Sequence, residues 1–139
     1  MSDTSFSGGC ACGAIRYLAG GAPVAQLHCQ CRHCRMRSGT GHSSYLVFAG
    51  EGAVQVTGAP ATWRVAGESG AEKIHAFCPT CGTPTHLGFA ANPGLTAIHA
   101  GSLDAPEAFR PTLVTFAARG LAWDRPGPGL AAFQEGPPG

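Results

Sequence analysis

The sequence predicts a mainly β domain, an all-β sandwich or distorted barrel with little helix. Glycine (21) and proline (11) interrupt the 139-residue chain every few positions, which leaves no room for long helices. The stretches between them alternate apolar and polar side chains with a period of two. Seven cysteines in three tight groups add a cross-linking chemistry of their own.

Taken in order, Met1 to Gly9 is polar and glycine-containing and lies outside the strand-like segments. Alternation then covers Ala14–Leu18, Val24–His28, Tyr45–Ala49, Ala53–Thr57, Ala61–Val65, Lys73–Cys78, Thr85–Phe89, Leu95–Ala100 and Thr112–Ala117. In Val54-Gln55-Val56 and Thr62-Trp63-Arg64-Val65 the two faces separate cleanly. Arg32 to Ser38 is the best helix, barely two turns long and stopped at Gly39. A second short turn is expected near Ala105–Ala108, with Asp104 as its N-cap. Phe48, Trp63, Phe77, Phe89 and Phe116 are expected in the core. Arg125 to Gly139 holds eight Pro or Gly in fifteen residues and reads as a tail draped on the surface or partly mobile. The length fits one domain spanning 1–139.

Charged residues make up 12% of the chain and the net charge is +1. That balance argues against nucleic acid or a membrane surface as partner. The apolar runs are too short to span a bilayer, and the N-terminal stretch lacks the pattern of a signal peptide. A thiol-rich chain of this kind is expected in a reducing cytoplasm, where such spacings mean metal or redox chemistry rather than disulfides.

The cysteines add up to two metal sites, since a structural zinc takes four ligands and a catalytic zinc takes three. Cys78-Pro79-Thr80-Cys81-Gly82 has the form of a zinc knuckle. Its alternatives are a redox dithiol or two buried free thiols. Cys10-Ala11-Cys12-Gly13 supplies two more thiolates. The two pairs together would make a closed shell that ties distant stretches of chain. Cys29-Gln30-Cys31-Arg32-His33-Cys34 places three thiolates within six residues. His28, His33 or His42 would close that shell as a fourth ligand; an iron–sulfur cluster is the less well-matched alternative. If the fourth position is open, zinc with three thiolates is a weak activator of water but suits a thiol substrate. Arg32, Arg35 and Arg37 then read either as a rim for substrate carboxylates or as a solvated helix face. His33 and His42 are candidates for proton transfer. His75, His86 and His99 read as hydrogen-bonded structural residues, and Trp123 as a pocket cover or gap filler.

These residues resemble the glutathione-dependent formaldehyde-activating enzyme family, whose domain is shared with centromere protein V. The matching pieces are Gly9-Cys10-Ala11-Cys12-Gly13-Ala14-Ile15-Arg16-Tyr17, His28-Cys29-Gln30-Cys31-Arg32-His33-Cys34-Arg35, Ser38-Gly39 and Phe77-Cys78-Pro79-Thr80-Cys81-Gly82-Thr83. Gly101-Ser102-Leu103-Asp104, Arg110-Pro111 and Trp123-Asp124 are similar to its later segments. The resemblance implies a β-tent (Mss-four-like) fold of short coiled antiparallel sheets with zinc knuckles and little helix. It implies two zincs: a structural one on Cys10, Cys12, Cys78 and Cys81, and a catalytic one on Cys29, Cys31 and Cys34. The implied activity is that of a carbon–sulfur lyase, joining glutathione to formaldehyde as S-hydroxymethylglutathione. A non-catalytic zinc module for interactions is the alternative that the centromere relatives suggest.

Overall fold

The computed structural model describes residues 5–137. The outermost residues of the two terminal stretches, 1–4 and 138–139, lie outside the described residues.

Strands β1 (Ser5–Gly9), β2 (Arg16–Gly20) and β5 (Val54–Thr57) form a three-stranded antiparallel sheet in the order β1-β2-β5. A larger sheet holds β3 (Ala25–Cys29), β4 (Ser43–Ala49), β6 (Ala61–Ala66), β7 (Glu72–Phe77), β8 (Pro84–Phe89), β9 (Leu95–His99), β10 (Leu113–Thr115) and β11 (Ala131–Ala132). Its order is β11-β10-β3-β4-β9-β8-β7-β6. The α-helix found among the described residues, α1 (Arg32–Ser38), follows β3 directly. It begins where the Cys31 sulfur accepts the Cys34 N–H, and it ends where the Gly39 N–H closes onto Arg35 O. The predicted helix and the nine alternating segments all have counterparts here, shifted by a residue or two at their ends.

Four expectations need correction. The sheets are not antiparallel throughout: β10 runs parallel to both β3 and β11, because a long connection returns the chain to the same end of β3. The segment near Ala105–Ala108 is a single 3-10 turn, Pro106–Ala108, without a side-chain cap. Asp104 instead bonds to Arg16 and Ser7. Trp63 is not a core residue; it sits 41% exposed on β6. Trp123 is 69% exposed and so fills no interior gap. The tail, for its part, lies along β10, with Phe116 N–H bonded to Glu135 O and Phe133 N–H to Val114 O.

Strands β4 and β9 divide the interior. Leu46, Phe48 and Ile98 face the three-stranded sheet and pack on Tyr17, Ala19 and Leu103. Each of those three is at most 1% exposed, and such burial is worth about 1.5–3 kcal/mol per side chain. The alternate residues Tyr45, Val47 and Ala97 point the other way, toward Leu27, Leu87 and Phe116. The register extends this second face across the sheet: Cys29 lies opposite Thr115, Leu27 opposite Tyr45, Val47 opposite Ala97, Ala97 opposite Leu87 and Phe89 opposite Lys73. Facing residues of paired strands share a side of the sheet, so this side carries Cys29 at one end and aliphatic residues beyond it.

Candidate metal centres

All seven cysteines are free thiols. They converge as two groups whose sulfurs lie within 4.8 Å of one another: Cys10, Cys12, Cys78 and Cys81, and Cys29, Cys31 and Cys34. In the first group Cys10 and Cys12 are 3.7 Å apart, as are Cys12 and Cys78. These separations are far too long for disulfides. They match the edge of a tetrahedron with zinc–sulfur bonds of about 2.3 Å, roughly 3.8 Å. The donor set therefore fits zinc. Backbone amides serve the sulfurs as they would serve thiolates: Ile15 N–H donates to Cys10 at 3.2 Å, and Thr80 and Cys81 N–H donate to Cys78 at 3.3 and 3.4 Å. Gly82 takes φ 80° and closes the knuckle with its N–H on Cys78 O at 2.9 Å, a left-handed geometry that suits glycine. The Thr83 hydroxyl and N–H, with help from the Cys12 backbone, pull the Cys81 thiol down to about 5. This group joins the β1–β2 turn to the β7–β8 turn.

The second group sits where β3 runs into α1. Cys29 ends the strand, Cys31 caps the helix and Cys34 lies on its inner side; all three are buried. Among the described residues no histidine, aspartate or glutamate atom joins these sulfurs at ligand distance. The three histidines named as a fourth ligand are engaged elsewhere. His28 Nδ1 is 2.8 Å from Ser44 Oγ, His33 packs edge-on against Trp63, and His42 Nδ1 is 2.8 Å from Asp124 Oδ2. The sulfurs share their protons. Cys29 first, then Cys34, pulls Cys31 far below the ordinary thiol value, while Cys34 is raised in return by Cys29 and Cys31. A cluster with one ready thiolate is prepared to take a divalent ion.

One neighbour of the trio had no local sequence signature. Tyr45, 2% exposed, holds its hydroxyl 3.1 Å from Cys34 Sγ. Burial, then Cys34, pushes the phenol well above its ordinary value, so it stays protonated and is able to donate to the sulfur once Cys34 is a thiolate. Asp124 gathers the loop before β4, accepting from Thr40 Oγ1 and Gly41 N–H besides His42. Burial works to raise its carboxyl, but these partners hold it below the ordinary value. Of the remaining histidines, His86 Nδ1 lies 3.0 Å from Thr85 Oγ1. His75 departs from expectation: it is 1% exposed and neither ring nitrogen has a partner. Burial first, then Arg37, lowers it to about 4.

A cavity of about 400 Å³ opens beside Cys29 and Cys34, between the larger sheet, the β6–β7 hairpin and the tail. None of Arg32, Arg35 and Arg37 lines it. Arg32 and Arg37 border a separate hollow with His33 and Trp63, and the Arg37 guanidinium lies 5.0 Å from the Phe77 ring centroid. Nor do His33 and His42 line the cavity.

Two cysteine clusters suited to metal, mounted on a β scaffold, define the class: a β-rich protein with two candidate metal sites. Residues 5–119 match the family model described as glutathione-dependent formaldehyde-activating enzyme. The chain belongs to that family, whose fold is the β-tent. A solved Rhodobacter sphaeroides protein, a structural-genomics target, has a similar fold with a TM-score of 0.53 and 22% identity. That match covers 70% of this chain and 87% of the other. No curated protein matches the chain. No helix of the described residues is long and apolar enough to cross a membrane.

Proposed function

We propose that the chain is a zinc-dependent carbon–sulfur lyase of the synthase type, which joins a glutathione-like thiol to a small aldehyde or runs the reverse elimination. The observation that carries this reading is the convergence of Cys29, Cys31 and Cys34, with no fourth ligand among the described residues, beside a cavity. In it, Cys10, Cys12, Cys78 and Cys81 hold a structural zinc and the trio holds a catalytic one. Bound at the trio, zinc would lower the pKa of an incoming thiol and keep it as a thiolate.

The protein's own contributions follow from its geometry. Tyr45 donates to the Cys34 sulfur and so relieves the charge that three thiolates concentrate in a buried place. The apolar walls of the cavity offer water few partners, so a substrate seated there would displace it and strengthen the charge interactions beside the trio. Arg32, Arg35 and Arg37 crowd the helix next to the trio and supply cations for the carboxylates of a thiol whose body stays outside the cavity.

Exchange spectroscopy on mixtures of glutathione and labelled formaldehyde tests the proposal. The zinc-loaded protein is expected to accelerate exchange between free aldehyde and adduct, and Cys34→Ser to abolish the acceleration. Exchange no faster than the spontaneous rate would reduce the chain to a non-catalytic metal module.

A further inference from the structure

The geometry points to a larger substrate than formaldehyde: we infer that the cavity beside the trio takes the apolar body of an aldehyde of about five to ten carbons. The inference rests on the thiol-and-aldehyde reading above and narrows its carbon partner.

Size is the first ground. Formaldehyde has two heavy atoms and takes about the room of a water molecule, roughly 30 Å³. The cavity measures about 400 Å³. A site for formaldehyde alone would leave most of that space as water against hydrocarbon. The walls are the second ground. Leu27, Val47, Leu87, Phe89 and Leu95 line it from the one side of the sheet set by the register of β3, β4, β8 and β9, and Phe116 joins them from just beyond β10. Cys29, Cys34 and the Tyr45 hydroxyl give this apolar lining a reactive edge at the trio. An aldehyde has this same division, one polar end and an apolar body. A glutathione-like thiol does not: its carboxylates, amine and amides would lose water without finding partners, at a cost of kcal/mol each. The tripeptide body therefore stays outside, and the apolar cavity is left for the electrophile.

Lys73 is the third ground. It is the cation among the lining residues, its Nζ lies 5.7 Å from the Phe116 ring centroid, and no carboxylate pairs with it among the described residues. It stands opposite Phe89 on the sheet and offers a donor to a carbonyl oxygen. The step balances without a further reactant. The sulfur lone pair forms the C–S bond, the C=O π pair moves onto oxygen, and the proton leaving the thiol ends on that oxygen as the hydroxyl of a hemithioacetal.

The test separates binding from turnover. Straight-chain primary alcohols from propanol to heptanol, unreactive stand-ins for the aldehydes, are titrated calorimetrically into the zinc-loaded protein. Affinity is expected to rise roughly threefold to fourfold per added methylene. Ala71→Trp, at an exposed position on the cavity rim, is expected to flatten that dependence while leaving zinc content and glutathione binding unchanged. A matching rise in kcat/KM from formaldehyde to hexanal is expected with glutathione fixed. Affinity independent of chain length, or a length dependence untouched by Ala71→Trp, would overturn the inference. Loss of glutathione binding with the alcohol series intact would remove the thiol chemistry and leave the apolar ligand standing, so the two failures are distinguishable.

Discussion

Replacing Tyr45 with phenylalanine isolates one interaction at the trio. The ring stays in the cluster with Leu27, Val47 and Leu87, and only the hydroxyl 3.1 Å from Cys34 Sγ is removed. Cys34 is 1% exposed, so no water replaces the lost donor. Groups that hydrogen-bond a metal ligand typically contribute about 10–100-fold to metal affinity, which is about 1.4–2.7 kcal/mol. Folding stability of the metal-free chain should fall by only about 1 kcal/mol, the ordinary value of one hydrogen bond. Competition with a chromophoric chelator reads both sites in one titration. Tyr45→Phe is expected to weaken the weaker, trio site by one to two decades and leave the four-cysteine site where it was. Equal weakening of both, or an unchanged trio, would refute the reasoning, because the hydroxyl would then not be serving a metal-holding thiolate.

Cys78→Ser should lose one equivalent of zinc and at least about 4 kcal/mol of stability by urea unfolding, since that cluster closes the two sheets' turns on each other; Cys34→Ser should lose the other zinc with a smaller stability change. His99 carries a pH dependence: burial first, then His75 and Arg37, lowers it from 6.5 to about 3. Above pH 6.5 both states hold a neutral ring and the full stability is present. Below it the unfolded chain takes a proton that the folded chain refuses until about 3, so stability falls with pH. Between pH 7 and 4.5 the loss should exceed that of His99→Gln by about 2–3 kcal/mol; parallel profiles would contradict the assignment. Gly58→Ala is expected to cost about 2–4 kcal/mol, because φ is 94° and a Cβ would lie 2.2 Å from Ala14 O. Gly13→Ala, with φ 85° and no atom within 4 Å of the added carbon, should cost only about 1–2 kcal/mol; equal melting temperatures would show that the contact is not felt.

The parts legible in the sequence are those with local causes. Alternation marks β2 and β5 because each strand buries one side more than the other, and α1 is legible because Cys31 and Gly39 bracket a short run without breakers. The cysteine groups are legible because thiols at these spacings have few other uses. β1 was not, since Ser5–Gly9 is poor in strand formers and owes its state to the ladder with β2. β11 is two alanines that become a strand only by lying against β10. Tyr45 reaches Cys34 across eleven positions of chain and Asp124 reaches His42 across more than eighty, distances at which spacing carries no signal. The cavity is likewise a product of register: alternate residues of several strands meet only once the sheet bends. The helix arginines were legible as a cluster, but their distance from the cavity was not.

The proposed chemistry needs a trio of cysteine sulfurs that grips a divalent ion and leaves one corner free. Cobalt-substituted protein tests this most directly, by following the thiolate-to-cobalt absorption of the trio as glutathione is added. A saturable change that disappears in Cys34→Ser while the four-cysteine signal persists is the predicted result. A spectrum indifferent to every thiol offered, with both metals bound, would contradict it.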